Sequence, residues 1–315
     1  MEYHEPRTVE EACALIDQVG EDGRLLAGGT ALVILMRQRL LSPAALINLQ
    51  RVPELAGIRS ENGSLVIGAT ATHQQAARSE LLRSQYPALA NTFARVATPR
   101  IRNAGTVGGN LAHGDPHLDP PVTLMVLDAS VTVRSSRGER RIPLSQLFVD
   151  YYETSLAPNE VLTEVRLPAR QAHTGSSFIK FLPRSQDDYA AVDIAAWVRL
   201  APETGALAEA RLALGSVGPV VFRATRAEEI LRGQTLTSEA LVEAGQRAAA
   251  AADPEDDIRG SAAYKRELIK VLVGRCLRLA VADCERASSA GTNSGVSPGG
   301  RPLAVRRHSH GAWAF

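Results

Sequence analysis

The sequence predicts an α+β fold in two parts, a larger mixed N-terminal portion and a smaller one of three strands with helices. Three observations carry this. The hydrophobic period switches several times between helical spacing and strand alternation. Asn62-Gly63 separates two short apolar runs, the strongest short hairpin signal. Residues Ala169 to Gly175 look like a linker, with strands and then helices beyond it. The expected division is 1–170, itself split at about 55 and 56, then 176–284, then a tail over 286–315 whose Ser, Gly, Pro and Arg content predicts disorder.

The first fifty residues read as two strand–helix units. Val9, Ala12, Cys13, Leu15, Ile16 and Val19 recur at helical spacing within Thr8 to Val19. Leu25-Leu26-Ala27 is a short strand, Gly28-Gly29 a turn, Ala31 to Arg39 a helix, and Leu46 to Leu49 a buried strand. Leu55 to Ser60 and Ser64 to Ala69 form the hairpin. Thr72 and Gln75 suit a capping box opening a helix through Leu82. A helix over Pro87 to Ala97 precedes a Gly- and Pro-rich stretch, Thr98 to Pro121, and Leu124 to Ser135 resumes β character. Val161 to Pro168 alternates, with Leu162, Glu164 and Arg166 on the face opposite Val161, Thr163, Val165 and Leu167. Strands are expected over Ser177 to Leu182, Tyr189 to Leu200 and Ala208 to Ser216, and helices over Thr237 to Ala252 and Ser261 to Ala282. In the last helix Tyr264, Leu268, Val271, Leu272, Cys276 and Leu279 make one stripe, read as core packing.

Composition narrows the function classes. A net charge of +1 offers no nucleic-acid surface, and 45% hydrophobic with 22% charged residues is ordinary for a globular protein. The apolar run from Leu32 to Leu41 is broken by Arg37, Gln38 and Arg39, so no membrane span is expected. The first six residues lack a basic-then-apolar leader, which predicts a cytoplasmic address. Cys13, Cys276 and Cys284 are scattered, too sparse for an iron–sulfur or structural zinc site built by this chain alone.

Two glycine-rich segments carry the chemistry. Leu26-Ala27-Gly28-Gly29-Thr30-Ala31 follows a strand and opens a helix, where backbone amides can approach a phosphate. Thr106-Val107-Gly108-Gly109-Asn110 is of the same type. Each offers N–H donors and a hydroxyl, which together suit the two phosphates of a pyrophosphate. Neither is Gly-x-Gly-x-x-Gly, which disfavours a Rossmann site. His113, Asp115, His117 and Asp119 alternate as metal ligands could, but the Gly and Pro between them spoil a single-face geometry, so no metal is expected. Asp187 and Asp188 are read as turn caps or hydrogen-bond acceptors before acid–base catalysts, and His308 and His310 as solvated tail residues.

With Asn48-Leu49, Val52-Pro53-Glu54-Leu55, Ile67-Gly68-Ala69-Thr70, Arg184, Asp187-Asp188-Tyr189-Ala190 and Asp257 to Tyr264, the paired loops make a recognisable series. From about Tyr3 to about Asp283 the chain resembles the flavoprotein subunit, or flavin domain, of the xanthine dehydrogenase and aerobic carbon monoxide dehydrogenase family. The resemblance implies a two-part FAD-binding domain of the vanillyl-alcohol oxidase (PCMH) type and a flavoprotein C-terminal domain. It implies non-covalent FAD, with both loops on the pyrophosphate and Asp119 on a sugar or ribityl hydroxyl. It also implies Leu162 lining the flavin, Lys180 at the carbonyl edge of the isoalloxazine, and Tyr189 over the ring at N5. A tyrosine there points toward the carbon monoxide dehydrogenase-like branch. The implied partners are a large molybdenum-cofactor subunit and a small [2Fe–2S] subunit, as a dimer of heterotrimers in which this chain relays electrons to an external acceptor. The competing readings are a stand-alone oxidase of the vanillyl-alcohol oxidase superfamily and a flavin-free scaffold.

Overall fold

The computed structural model describes residues 1–185 and 187–292. Its first unit is a three-stranded parallel sheet of β1 (Glu2–His4), β2 (Gly23–Leu26) and β3 (Ala45–Asn48), with β3 in the middle. Helix α1 (Val9–Val19) is capped by the Thr8 side chain and buries Val9, Ala12, Cys13 and Ile16. Helix α2 (Leu32–Arg37) is short, and Val33 and Ile34 on it stay exposed.

The second unit opens on the Asn62-Gly63 hairpin of β4 (Ile58–Glu61) and β5 (Ser64–Gly68), with both turn residues at positive φ as such a turn requires. The Thr72–Gln75 capping box forms, but the helix it opens is broken at Ser79. Ser79 turns extended and caps a new start, giving α3 (His73–Arg78) and α4 (Glu80–Gln85), followed by α5 (Pro87–Ala94). The Gly- and Pro-rich stretch folds into α6 (Pro99–Ala104), α7 (Val107–His113) and α8 (Asp119–Val126). Pro99 and Pro120 sit in first helical turns, where a missing N–H costs nothing, and Thr98 and Thr106 cap their helices. Leu124 to Val126 are therefore helical, and β character resumes only at β6 (Ser130–Ser135), paired with β7 (Gly138–Pro143). A small hairpin, β8 (Phe148–Asp150) and β9 (Glu153–Thr154), leads to β10 (Val161–Leu167). The sheet order is β4-β5-β10-β6-β7, antiparallel throughout.

The third unit is a four-stranded antiparallel sheet, β11 (Thr174–Phe181), β12 (Val192–Leu200), β13 (Leu207–Gly215) and β14 (Phe222–Arg223). One strand and helix α9 (Thr225–Leu231) go beyond the expected three strands. Both faces of this sheet are covered, and the period of two sorts its residues. Ile194, Ala196, Val198, Leu212 and Leu214 pack on α9, α10 (Ser238–Ala251) and α11 (Ala262–Thr292). Phe178, Ala195, Trp197 and Ala213 join the core of the second unit. The stripe read on the last helix is rotated in the fold. Tyr264, Val271 and Leu279 are exposed, while Ile269, Leu272, Val273, Cys276, Leu277, Ala280 and Cys284 are buried. Both sets fit helical spacing, and the contact chosen is the one that lets α10 press against α11 at Gly245, where a Cβ would lie 2.4 Å from the Lys270 carbonyl oxygen. Helix α11 also runs through 286–292, the start of the segment expected to be a disordered tail; the rest of that segment, with His308 and His310, lies outside the described residues.

Candidate functional site

The two glycine loops meet. Gly28 rests on the end of α6, so closely that a Cβ would stand 2.3 Å from the Ala104 carbonyl oxygen and 2.8 Å from Gly105 Cα. Gly29 holds φ at 70°, a left-handed turn that reverses the chain into α2. The N–H groups of Gly28, Gly29, Thr30 and Ala31 have no acceptor among the described residues, and this loop is half-buried. Four such donors in a row make an anion cradle.

The second loop differs from the sequence expectation. Its amides are already engaged, Val107 N with Ala71 O, Gly108 N with Ala69 O, Gly109 N with Thr106 Oγ1 and Asn110 N with Thr106 O. Gly108 is fixed by packing, since a Cβ would fall 2.6 Å from that of Ala69. Gly109 is exposed, and a Cβ there would meet only Thr106 Oγ1 at 2.8 Å and Ala27 Cβ at 3.9 Å. It has no positive φ; its role is open space facing the first loop. The Oδ1 of Asn110 is buried without a partner. Donors thus come from the first loop, while the second supplies room, a threonine hydroxyl and an orphaned amide oxygen.

Beneath the second loop lies a residue that sequence reasoning passed over. His73 is buried, stacks on Phe93 at 5.7 Å, and has no partner at Nδ1. Its N–H donates to the Gly105 carbonyl, so it braces the loop. Burial, helped by Arg102, pulls its pKa down to about 4.

Asp119 opens α8, and Lys180 lies on the face of β11 that looks toward it. The Lys180 ammonium donates to Asp119 Oδ2 at 2.9 Å and to the Arg95 carbonyl at 3.3 Å, with both side chains almost fully buried. Asp119 Oδ1 is left without a partner. Burial raises the Asp119 pKa to about 6 against the opposing pull of Lys180. Lys180 therefore faces a carboxylate, not open space where a ring edge could lie; the strand period turns it inward onto α8.

Leu162 is also placed differently. A bulge between Leu162 and Glu164 breaks the alternation of β10, and Leu162 is buried in the hydrophobic core. Its apolar side chain needs no flavin to explain it.

Tyr189 is 44% exposed and held from several sides. Its hydroxyl is close enough to Asp115 to feel that carboxylate, its ring lies 5.6 Å from His117, and the Arg259 guanidinium sits 5.4 Å over it. Arg259 also donates to the Tyr189 carbonyl and pairs with Asp188 and Asp257. Burial, with Asp115 adding to it, raises the Tyr189 pKa. Asp188 Oδ1 accepts from Tyr189 N at 2.7 Å, the turn-capping role expected of it. His117 and Asp115 pair at 3.1 Å, and His113 stands apart against Tyr152. Among the described residues no three His, Cys, Asp or Glu side chains converge as a metal-ligand set. Arg259 lies 70 residues from Tyr189, so nothing in the local sequence signals their contact.

A cradle of free amides opposite an exposed glycine suits a pyrophosphate, and a buried acid with one free oxygen suits a hydroxyl. Comparison with known proteins agrees. The family described as "FAD binding domain in molybdopterin dehydrogenase" matches residues 1–170, and "CO dehydrogenase flavoprotein C-terminal domain" matches 177–280. The chain belongs to the family of FAD-binding flavoprotein subunits of molybdenum-containing hydroxylases. It is an oxidoreductase subunit, and FAD is its cofactor. Among its relatives, the carbon monoxide dehydrogenase medium chain of Hydrogenophaga pseudoflava is 37% identical over 283 residues, 90% of this chain and 98% of that one. The 6-hydroxypseudooxynicotine dehydrogenase complex subunit alpha of Paenarthrobacter nicotinovorans is 37% identical, covering 87% of this chain and 92% of that one. A solved carbon monoxide dehydrogenase from Hydrogenophaga pseudoflava superposes with TM-score 0.87 at 38% identity, covering 90% of this chain and 98% of that chain. No described helix is long and apolar enough to cross a membrane.

Proposed function

We propose that this chain is the flavin station of a three-subunit molybdenum hydroxylase. A large partner would oxidise substrate at its molybdenum cofactor, and a small partner would deliver electrons through [2Fe–2S] clusters. The observation that carries the reading is the row of unpaired amides from Gly28 to Ala31, set against Gly109. FAD, when bound, supplies the exchange between one-electron donors and a two-electron acceptor.

The chain's own residues then have separable tasks. The Leu26–Ala31 loop binds the pyrophosphate through its N–H groups, with the Thr30 and Thr106 hydroxyls and Asn110 at its margins. Asp119 accepts a hydroxyl at Oδ1, and Lys180 keeps that acid ionised and oriented. Tyr189, clamped by Asp115 and Arg259, covers the ring and controls access to it. Leu162 acts by packing the sheet beneath the second loop. Residues 1–170 form the FAD-binding domain and 176–284 the C-terminal domain, in a cytoplasmic complex assembled as a dimer of heterotrimers.

Isolation of the complex from its native host tests this. Expected are yellow protein, FAD released intact on denaturation, molybdenum and iron in the preparation, and a mass of two copies of each chain. FMN, covalent flavin, or full turnover by this chain alone would overturn the reading.

A further inference from the structure

An acid at the start of an apolar strand has no task in the account above. Asp193 is fully buried in β12, inside the run Val-Asp-Ile-Ala-Ala-Trp. Its cross-strand partners are Lys180 on β11 and Gly215 on β13. Directly opposed residues of an antiparallel pair hold their Cβ atoms ~4.5–5.5 Å apart. Asp193 and Lys180 thus stand side by side on the face that looks at α8 and Asp119.

The groups facing Asp193 are few. Lys180 comes from β11 and Asp119 from α8, with Arg95 at the end of α5 acting on Asp119. Ser216, just past β13, brings its Oγ to 3.0 Å from Asp193 Oδ2. Ser216 holds φ at 63°, strained for a residue with a Cβ, and is pinned by its N–H to the Pro116 carbonyl. Asp193 Oδ1 has no partner.

Charge counting in this enclosure is decisive. One ammonium faces two carboxyls, all three buried; Arg95 acts on Asp119 from an exposed position, screened by solvent, and adds nothing at Asp193. If both acids were ionised, one anion would be buried without a counter-charge, at a cost of several kcal/mol. Two carboxyls sharing a site settle this by keeping one proton. Asp119 holds the ammonium at 2.9 Å, whereas Asp193 has only a hydroxyl. A proton on Asp193 also leaves a carbonyl oxygen as the orphan instead of a carboxylate oxygen, the cheaper of the two.

We propose that Asp193 is a proton-carrying acid that positions Lys180. Neutral, it leaves the ammonium to Asp119; ionised, it draws the ammonium across the strand pair. Burial and the neighbouring Asp119 charge both hold the Asp193 carboxyl well above the usual carboxylate range. The grip of Asp119 on a cofactor hydroxyl is thereby tied to one proton held on the next strand. This rests on the assignment of Asp119 as the hydroxyl acceptor.

Infrared spectroscopy of the flavin-free full chain near neutral pH reads the proton directly. The carbonyl stretch of an un-ionised carboxylic acid, shifted in D2O, is expected in the parent and is expected to vanish in Asp193→Asn. The FAD dissociation constant of the parent should rise several-fold as pH is raised through the Asp193 titration, a limb missing from Asp193→Asn. Absence of the band from the parent, or its retention in Asp193→Asn, overturns the proposal. If Asp193→Asn does not fold, carbon-13 NMR of aspartate-labelled parent decides it: an un-ionised carboxyl assigned to Asp193 at neutral pH upholds the proposal, and one assigned to Asp119, or none, overturns it. Failure of the parent to bind FAD would sink the site assignment alone, since the infrared result is read without flavin.

Discussion

Gly28→Ala separates the two roles that glycine plays in the cradle. The added methyl would lie 2.3 Å from the Ala104 carbonyl oxygen, 2.8 Å from Gly105 Cα and 2.9 Å from the Ala104 carbonyl carbon. All three are backbone atoms, so about 1 Å of separation must come from moving one loop off the other. Overpacking of this kind costs about 1–3 kcal/mol in the flavin-free protein. The larger effect falls on the ligand. Hydrogen bonds to a charged group contribute about 1.5–3 kcal/mol each. Misaligning two of the four N–H donors would therefore weaken FAD binding by about 3–6 kcal/mol, at least a hundredfold. Gly109→Ala is the matched control. Its methyl crowds Thr106 Oγ1 at 2.8 Å and otherwise meets Ala27 Cβ at an ordinary 3.9 Å. Losing that cap costs about 1 kcal/mol, and alanine in the first turn returns about the same. Its flavin-free stability should match the parent while FAD affinity falls, because the methyl occupies the opening between the loops. Flavin retained through gel filtration, with urea midpoints of the flavin-free chains, measures both effects on chain isolated with its partners. Parental FAD affinity in Gly28→Ala would refute the cradle, whatever its stability.

Acid should weaken the fold through His73. Its folded pKa is about 4 against an ordinary 6.5, so the stability is fully present above pH 6.5 and is lost as pH falls toward 4. The span corresponds to about 3 kcal/mol, and urea midpoints of His73→Leu should lack that limb. Thr106→Val removes the cap of α7 and should cost about 1 kcal/mol together with much of the FAD affinity, read by melting and by flavin retention. Tyr189→Ala should keep FAD, since aromatic stacking adds only about 0.5–1.5 kcal/mol beyond burial. Its reduced flavin should reoxidise at a changed rate with external acceptors in stopped flow; unchanged rates with every acceptor tried would remove Tyr189 from the access role.

Local sequence signals determined a great deal here. The cap at Thr72, the Asn62-Gly63 turn and the period-two run of β10 each fix their element through neighbours a few residues away. The loop residues were legible for the same reason: glycine at a strand–helix junction is a local requirement. What tertiary structure decided are the choices in which local patterns were equally satisfied by two arrangements. The stripe on α11 could face either way until Gly245 set the contact between helices. A one-residue bulge turned Leu162 into the core and undid the face read from strict alternation. Two loops alike in composition differ in the donors they leave free, because Ala69, Ala71 and Thr106 accept from the amides of the second. Lys180, Asp119 and Asp193 come from three separate elements, and only the register of β11 on β12, packed under α8, sets one lysine beside two acids. Electrostatics depends on distance and burial, and neither is written into the chain until it closes on itself.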